Sequence, residues 1–191
     1  MDVFEAIAQR RSIRTFKDTP IPKEMLLKIL EAGTQAPSGK NAQPWRFVVV
    51  QENKRAEMVR VMREGIANLK AQGIDTGSAP WTAKVMAQAP VTVFVFNAEV
   101  EGLIPEKPIP ALTWELVNVQ SIGAAIQNML LAAQAQGVGS LWIGDIFMAY
   151  RELCAWLEET HELVAAVSFG YPDEQPEARP RKSVDEVTTW H

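Results

Sequence analysis

Apolar positions along the chain alternate between stripes of helical period and short continuous runs, which predicts helices and strands in alternation. Asp2 followed by Glu5 has the form of a capping pattern, and Val3, Phe4 and Ile7 then share one face of a short helix ending near Arg10. Residues 11–22 are polar and irregular. Met25, Leu26, Ile29 and Leu30 predict a second helix that starts after Pro22 and is ended by Gly33. Trp45 to Val50 holds aromatic and β-branched residues in a run that predicts a strand buried on both faces. Met58, Val61, Met62 and Ile66 stripe a charged helix over 55–69; residues 73–80 read as a loop, 81–88 as a short helix stopped by Pro90, and 91–96 as a second strand. The longest helix, 112–136, is Ala-rich with polar residues too sparse for a solvated face, so it is expected to be buried on most sides and closed by Gly137. Strands at 140–143 and 163–169 flank a further helix at 148–158. The tail from Tyr171 carries Pro172, Pro176 and Pro180 and should run extended. Residues 98–111 contain Gly102 and prolines 105, 108 and 110; a loop this long is functional or disordered, and is a candidate lid.

Strands separated by helices without a strict βαβ rhythm predict an α+β sandwich around one sheet. With 191 residues and no linker, one domain spanning 1–191 is expected. The net charge of −4 and the pI near 5.3 argue against nucleic acid or an anionic membrane as partner and leave a small molecule or another protein. The lone Cys154 has no partner for an internal disulfide, and the N-terminus lacks the basic-then-apolar layout of a secretion signal, so a cytoplasmic protein is expected. Glu115, Asn118, Gln120, Gln127 and Asn128 interrupt the most apolar segment, so no membrane span of roughly 20 residues is expected.

Three stretches carry candidate chemistry. Arg10-Arg11-Ser12-Ile13-Arg14 sets three guanidiniums around a hydroxyl, a donor set that matches phosphate oxygens; equally, cations favour a helix C-terminus. The loop Ala36 to Phe47 offers Pro37, Ser38, Gly39 and Asn41 to a planar heterocycle, or is ordinary turn chemistry between helix and strand. Gly139 and Gly144 bracket an apolar strand, consistent with close approach to something flat or to another chain, or with a helix cap and a strand end. The glycines precede a strand and miss the third glycine of a dinucleotide fingerprint. Ser12, Ser38 and Ser140 lack the Gly-x-Ser-x-Gly context of a hydrolase nucleophile. His161 and His191 make no obvious metal site, and Cys154 lies mid-helix among apolar residues as an inert thiol.

Taken together, Arg10 to Phe16, Ala36 to Phe47 and Gly139 to Gly144 resemble the successive signatures of the nitroreductase family of flavin enzymes. The resemblance implies an α/β/α sandwich around one mostly antiparallel sheet, a homodimer with two shared FMN sites, and a C-terminal tail docked on the partner subunit. It places Arg10, Ser12 and Arg14, assisted by Arg11, on the FMN phosphate, ribityl chain and ring edge. Pro37, Ser38 and Asn41 of the partner would line the ring. The Trp142-Ile143-Gly144 backbone would run beside flavin N5, and one of Arg179, Arg181 and Lys182, with Arg181 the assigned candidate, would reach the phosphate. The implied activity is hydride transfer from NADH or NADPH through flavin N5 to nitroaromatics, quinones or similar acceptors by a ping-pong route, with no side chain as essential proton donor. Enone reduction, dehalogenation, free-flavin reduction and non-catalytic flavin binding are the alternatives.

Overall fold

The computed structural model describes residues 1–101 and 109–191. Its elements are α1 (Val3–Gln9), α2 (Lys23–Thr34), β1 (Trp45–Gln51), α3 (Lys54–Ala71), α4 (Ala79–Gln88), β2 (Val91–Glu101), α5 (Ile109–Ala135), β3 (Gly139–Ile143), α6 (Tyr150–Leu157), β4 (His161–Gly170) and α7 (Val184–Val187), with short 3-10 turns at Gly39–Asn41 and Asp145–Ala149. One four-stranded sheet, ordered β1-β2-β4-β3, is antiparallel throughout.

The sheet is covered on both faces. Phe94, Phe96, Leu163 and Ala166 face α3, α4 and α6, while Val91, Val93, Val95, Ala165, Val167 and Phe169 face α2 and α5, so the alternation of β2 and β4, shifted in β4 by a bulge between Leu163 and Ala165, feeds two cores. This is the expected α/β/α sandwich. The doubly buried strands are β2 and β4, not β1: only Val50 of β1 is buried, because β1 is an edge strand with one neighbour. An apolar run reports hydrophobic neighbours but not position in a sheet.

The caps were legible. Asp2 accepts from the Glu5 backbone and Glu5 reaches back to Asp2, each at 2.9 Å, closing the capping box of α1. Gly137 adopts φ +72, the left-handed conformation that stops α5. Gly33 does not end α2, which runs on to Thr34. It sits where α5 crosses, and a Cβ there would lie 2.9 Å from Met129 Cγ.

Of the candidate lid, residues 102–108 lie outside the described residues, while 98–101 continue β2 and α5 begins at Ile109. By length and composition α5 is apolar enough to cross a membrane, despite its polar interruptions. Here Ile122, Ala125, Ile126, Met129 and Ala133 are fully buried in the core beneath the sheet. Its first turns are not buried as expected: Leu112, Trp114 and Leu116 are exposed, as are Val3, Phe4 and Ile7 of α1. The tail runs extended to Ser183, then forms the one-turn α7 with a capping box of its own, leaving Val184, Val187 and Trp190 exposed.

At one end of the sheet Arg46 Nε donates to Glu159 Oε1 at 2.7 Å, and His161 Nδ1 lies 3.1 Å from Glu159 Oε2. The Arg46 hydrogen bond, opposed by burial, holds the Glu159 carboxyl below its ordinary value. A carboxylate depressed on folding stabilises above its unfolded pKa of about 4.3, and that contribution is lost as pH falls through the lower folded value. Arg46→Met should therefore lower the urea midpoint near pH 6, with the deficit shrinking toward about pH 3. A deficit equal at both pH values would show that the pair contributes nothing through Glu159 ionisation.

Candidate functional site

The arginine segment is fixed from two sides. On one, Ile13 N donates to Ser140 O at 2.9 Å, and Ser12 forms a parallel bridge with Ser140 of β3. Gly139 permits this contact, since a Cβ there would stand 2.8 Å from Ile13 Cγ1. The close approach expected at Gly139 is thus to the chain's own Ile13, whereas a Cβ at Gly144 would meet nothing within 4 Å. On the other side the tail runs antiparallel to the segment. Lys17 N donates to Tyr171 O and Asp173 N to Thr15 O, both at 2.9 Å, and the Glu174 carboxylate accepts from the backbone N–H groups of Arg14 and Thr15.

Between these supports lies a cleft of about 620 Å³ lined by Arg10, Arg11, Ser12, Arg14, Gln127, Arg179 and Arg181, with Glu177 at its wall. Among the described residues, none of these five arginines forms an ion pair. Partial burial, then the positive charges of Arg181 and Arg11, push the Arg10 guanidinium below its ordinary value. Cations gathered without an ion pair to hold them fit a multiply charged anion. The helix-terminus explanation accounts for Arg11 alone, whose Nη1 donates to the carbonyls of Ala8 (2.7 Å) and Arg10 (2.8 Å). In the tail, Arg179 and Arg181 both line the cleft and Lys182 does not.

Arg14 also borders a second, smaller recess of about 180 Å³ with Ser78, Trp81, Thr82, Trp142, Ile143, Gly144 and Asp145. Its Nη1 donates to Ser12 O at 3.0 Å, and its Cζ lies 5.8 Å from the Trp81 ring centroid. β3 is the other edge of the sheet. Because Ser140 turns its backbone outward to Ile13, antiparallel alternation turns Trp142 to the same open side and Ile143 inward to β4. Of the three residues expected beside the ring, Ile143 is buried and spends its backbone in the sheet, while Trp142 and Gly144 are exposed. Asp145 accepts from the Ser78 hydroxyl at 2.8 Å and from the Thr82 hydroxyl, fastening the start of α4 to the turn after β3.

The loop after α2 is sharply bent. Lys40, Asn41 and Gln43 all have positive φ (51, 58 and 51), a conformation costly for non-glycine residues. Ser38 Oγ accepts from Gln43 N at 3.0 Å, and Gly39 lies so close to α5 that a Cβ would be 2.5 Å from Val117 Cγ1. Lys40 Nζ lies 4.5 Å from the centroid of the Trp114 ring. Pro37 and Asn41 are exposed, and neither they nor Ser38 line the cleft or recess that holds the arginines of the same chain.

Sequence reasoning missed Glu174, Gln127 and the Ser78–Thr82–Asp145 clamp. Gln127 carried a weak signal as a polar residue in an Ala-rich helix; Glu174 and Asp145 carried none, because their partners are 160, 67 and 63 positions away. Burial pushes the Cys154 thiol up to about 11, in keeping with an inert side chain.

The sequence model of the Nitroreductase family matches residues 7–171. The chain belongs to the nitroreductase family. A nitroreductase-family relative from Methanothermobacter thermautotrophicus, provisionally named an NADH dehydrogenase/NAD(P)H nitroreductase, is 32% identical over 185 residues, covering 94% of this chain and 82% of its own. The iodotyrosine deiodinase of Thermotoga neapolitana is 27% identical over 191 residues, covering 95% of each chain. Among solved structures, a provisionally named nitroreductase from Desulfovibrio desulfuricans, in complex with FMN, superposes with a TM-score of 0.76 at 29% identity, covering 100% of this chain and 97% of its own.

Proposed function

We propose that the chain, as one nitroreductase-type domain over 1–191, is an FMN-dependent oxidoreductase that takes hydride from NADH or NADPH and passes it by a ping-pong route to nitroaromatics, quinones or similar electron-poor acceptors. The observation that carries this reading is the cleft of arginines without ion pairs, continued through Arg14 to the open backbone edge at Trp142 and Gly144. That donor set fits FMN, which has a phosphate at one end and a planar ring at the other. Arg10, Arg179 and Arg181 would hold the phosphate, Ser12 and Arg14 the chain and ring edge, and the outward N–H groups of Trp142 and Gly144 would face the reactive edge. FMN when bound supplies the hydride chemistry that no side chain here offers. The chain's own residues anchor charge, orient the ring, and place the Arg14 cation where negative charge develops.

A second copy completes the site in this reading. Pro37, Ser38 and Asn41 line neither the cleft nor the recess of their own chain, and exposed apolar residues on α1, the start of α5 and the tail are what a shared interface would cover. The C-terminal tail past Ser183 is proposed to dock there. A free Cys154 suits a reducing, cytoplasmic setting. The full-length likeness to an iodotyrosine deiodinase supports a second reading in which the acceptor is a halogenated phenol.

Purified protein should show the visible absorption of bound flavin after incubation with FMN, and anaerobic NADH or NADPH should bleach it. No flavin spectrum would sink the proposal; a flavin that neither nucleotide bleaches would mark a non-catalytic flavoprotein. Re-oxidation by a nitroaromatic or quinone against re-oxidation by an iodophenol separates the two acceptor classes.

A further inference from the structure

Among the described residues Arg14 is the one cation shared by the arginine cleft and the recess beside Gly144, so its direction decides which end of a bound molecule it serves. Arginine carries a long, flexible side chain, and holding it in one place costs rotamer entropy unless neighbours restrict it. Two contacts do so here. Nη1 donates to Ser12 O at 3.0 Å, which fixes the guanidinium at one edge, and Cζ lies over the Trp81 ring at 5.8 Å from its centroid, within cation–π reach. Together they leave the other edge for a ligand.

Trp81 is itself held in place. It lies in the first turn of α4 between Ser78 and Thr82, the two residues whose hydroxyls donate to the Asp145 carboxylate, and Asp145 follows directly on Gly144. A fixed relation therefore runs from the open edge of β3, through Asp145 and the start of α4, to the indole over Arg14. With Trp81 and Trp142 both about half-exposed on the rim of the recess (47% and 43%), the indole has room to serve this way without being part of either core.

We infer that Trp81 is a positioning residue for Arg14, clamped by Asp145 through Ser78 and Thr82, and that this relay sets the affinity for the ring end of the flavin and the charge beside it. The inference rests on the FMN reading above. It assigns α4 a role that neither the sequence motifs nor the arginine cleft contains. Trp81→Leu removes the quadrupole that attracts the guanidinium but keeps an apolar side chain; Trp81→Phe keeps an aromatic face.

The test is a double-mutant cycle. FMN binding is measured by fluorescence titration, alongside the flavin midpoint potential, for the parent, Trp81→Leu, Trp81→Phe, Arg14→Met and Trp81→Leu/Arg14→Met. Trp81→Leu should weaken FMN binding about 3- to 10-fold and shift the potential downward, Trp81→Phe should recover most of both, and Trp81→Leu should cost little once Arg14 is Met. Additive losses, or Trp81→Leu binding FMN as tightly as the parent with an unchanged potential, would overturn the inference. Thermal unfolding of the FMN-free proteins through the same cycle reads the Arg14–Trp81 contact without the cofactor, and no coupling there also overturns it. Failure of the parent itself to bind FMN, with coupling intact in that cofactor-free cycle, would instead overturn the function reading, and with it the role assigned to the contact.

Discussion

Arg14→Ala should weaken FMN binding by about 10- to 100-fold, the loss of one charge-assisted interaction with an anion or ring oxygen. The side chain borders both the arginine cleft and the recess beside Gly144, and it has no carboxylate partner among the described residues. Removing it breaks no internal ion pair, so the stability cost is limited to the Ser12 hydrogen bond and the Trp81 contact. Arg60→Ala is the matched control: Arg60 is equally cationic, but it pairs with Glu64 at 3.1 Å on the exposed face of α3, and FMN affinity should be unchanged. Equal FMN retention by the two variants would remove Arg14 from the site.

The second large effect lies in the frame. Gly65→Ala should destabilise the protein by about 1–3 kcal/mol even though alanine is the better helix former by roughly 1 kcal/mol. Gly65 is on the buried face of α3, where a Cβ would stand 2.5 Å from both Cα and Cβ of Ala149 and 2.9 Å from Glu152 Oε2. Backbone cannot rotate aside as a side chain can, so the Asp145–Ala149 turn must move. Thermal unfolding should drop by about 2–4 °C for each kcal/mol lost. Gly123→Ala, in the interior of α5 with its nearest new contact at 3.8 Å, should be neutral or stabilising. Gly65→Ala behaving like Gly123→Ala would show that α3 and this turn yield freely. Because Asp145 opens the displaced turn, FMN affinity should fall with stability in Gly65→Ala.

Both predictions rest on contacts between segments far apart in the chain, and there the sequence was least legible. The arginine segment was visible as a donor set, but whether it capped a helix or cradled an anion turned on where Arg179 and Arg181 lie, more than 160 residues later. At Gly139 the sequence leaves close approach and a plain strand end open, and the tertiary structure brings the chain's own Ile13 against it. The apolar residues of β1 predict a buried strand; only the strand order makes it an edge. The start of α5 is predicted buried for the same reason, yet Leu112, Trp114 and Leu116 are exposed in the single chain.

By itself the sequence determined what local chemistry determines: the capping box at Asp2, the helix stop at Gly137, the two-layer coverage implied by helices between strands, and a set of phosphate-matching arginines at a helix end. These depend on residues within a few positions of one another, whose backbone preferences hold in any context. Tertiary structure alone decided the strand order, the seating of the tail that brings Glu174, Arg179 and Arg181 to the arginine segment, and the Asp145 clamp that sets Trp81 over Arg14. Those contacts have no periodicity, because they are fixed by how two cores close on opposite faces of one sheet, and a side chain's partners across that closure leave no mark on its neighbours in sequence.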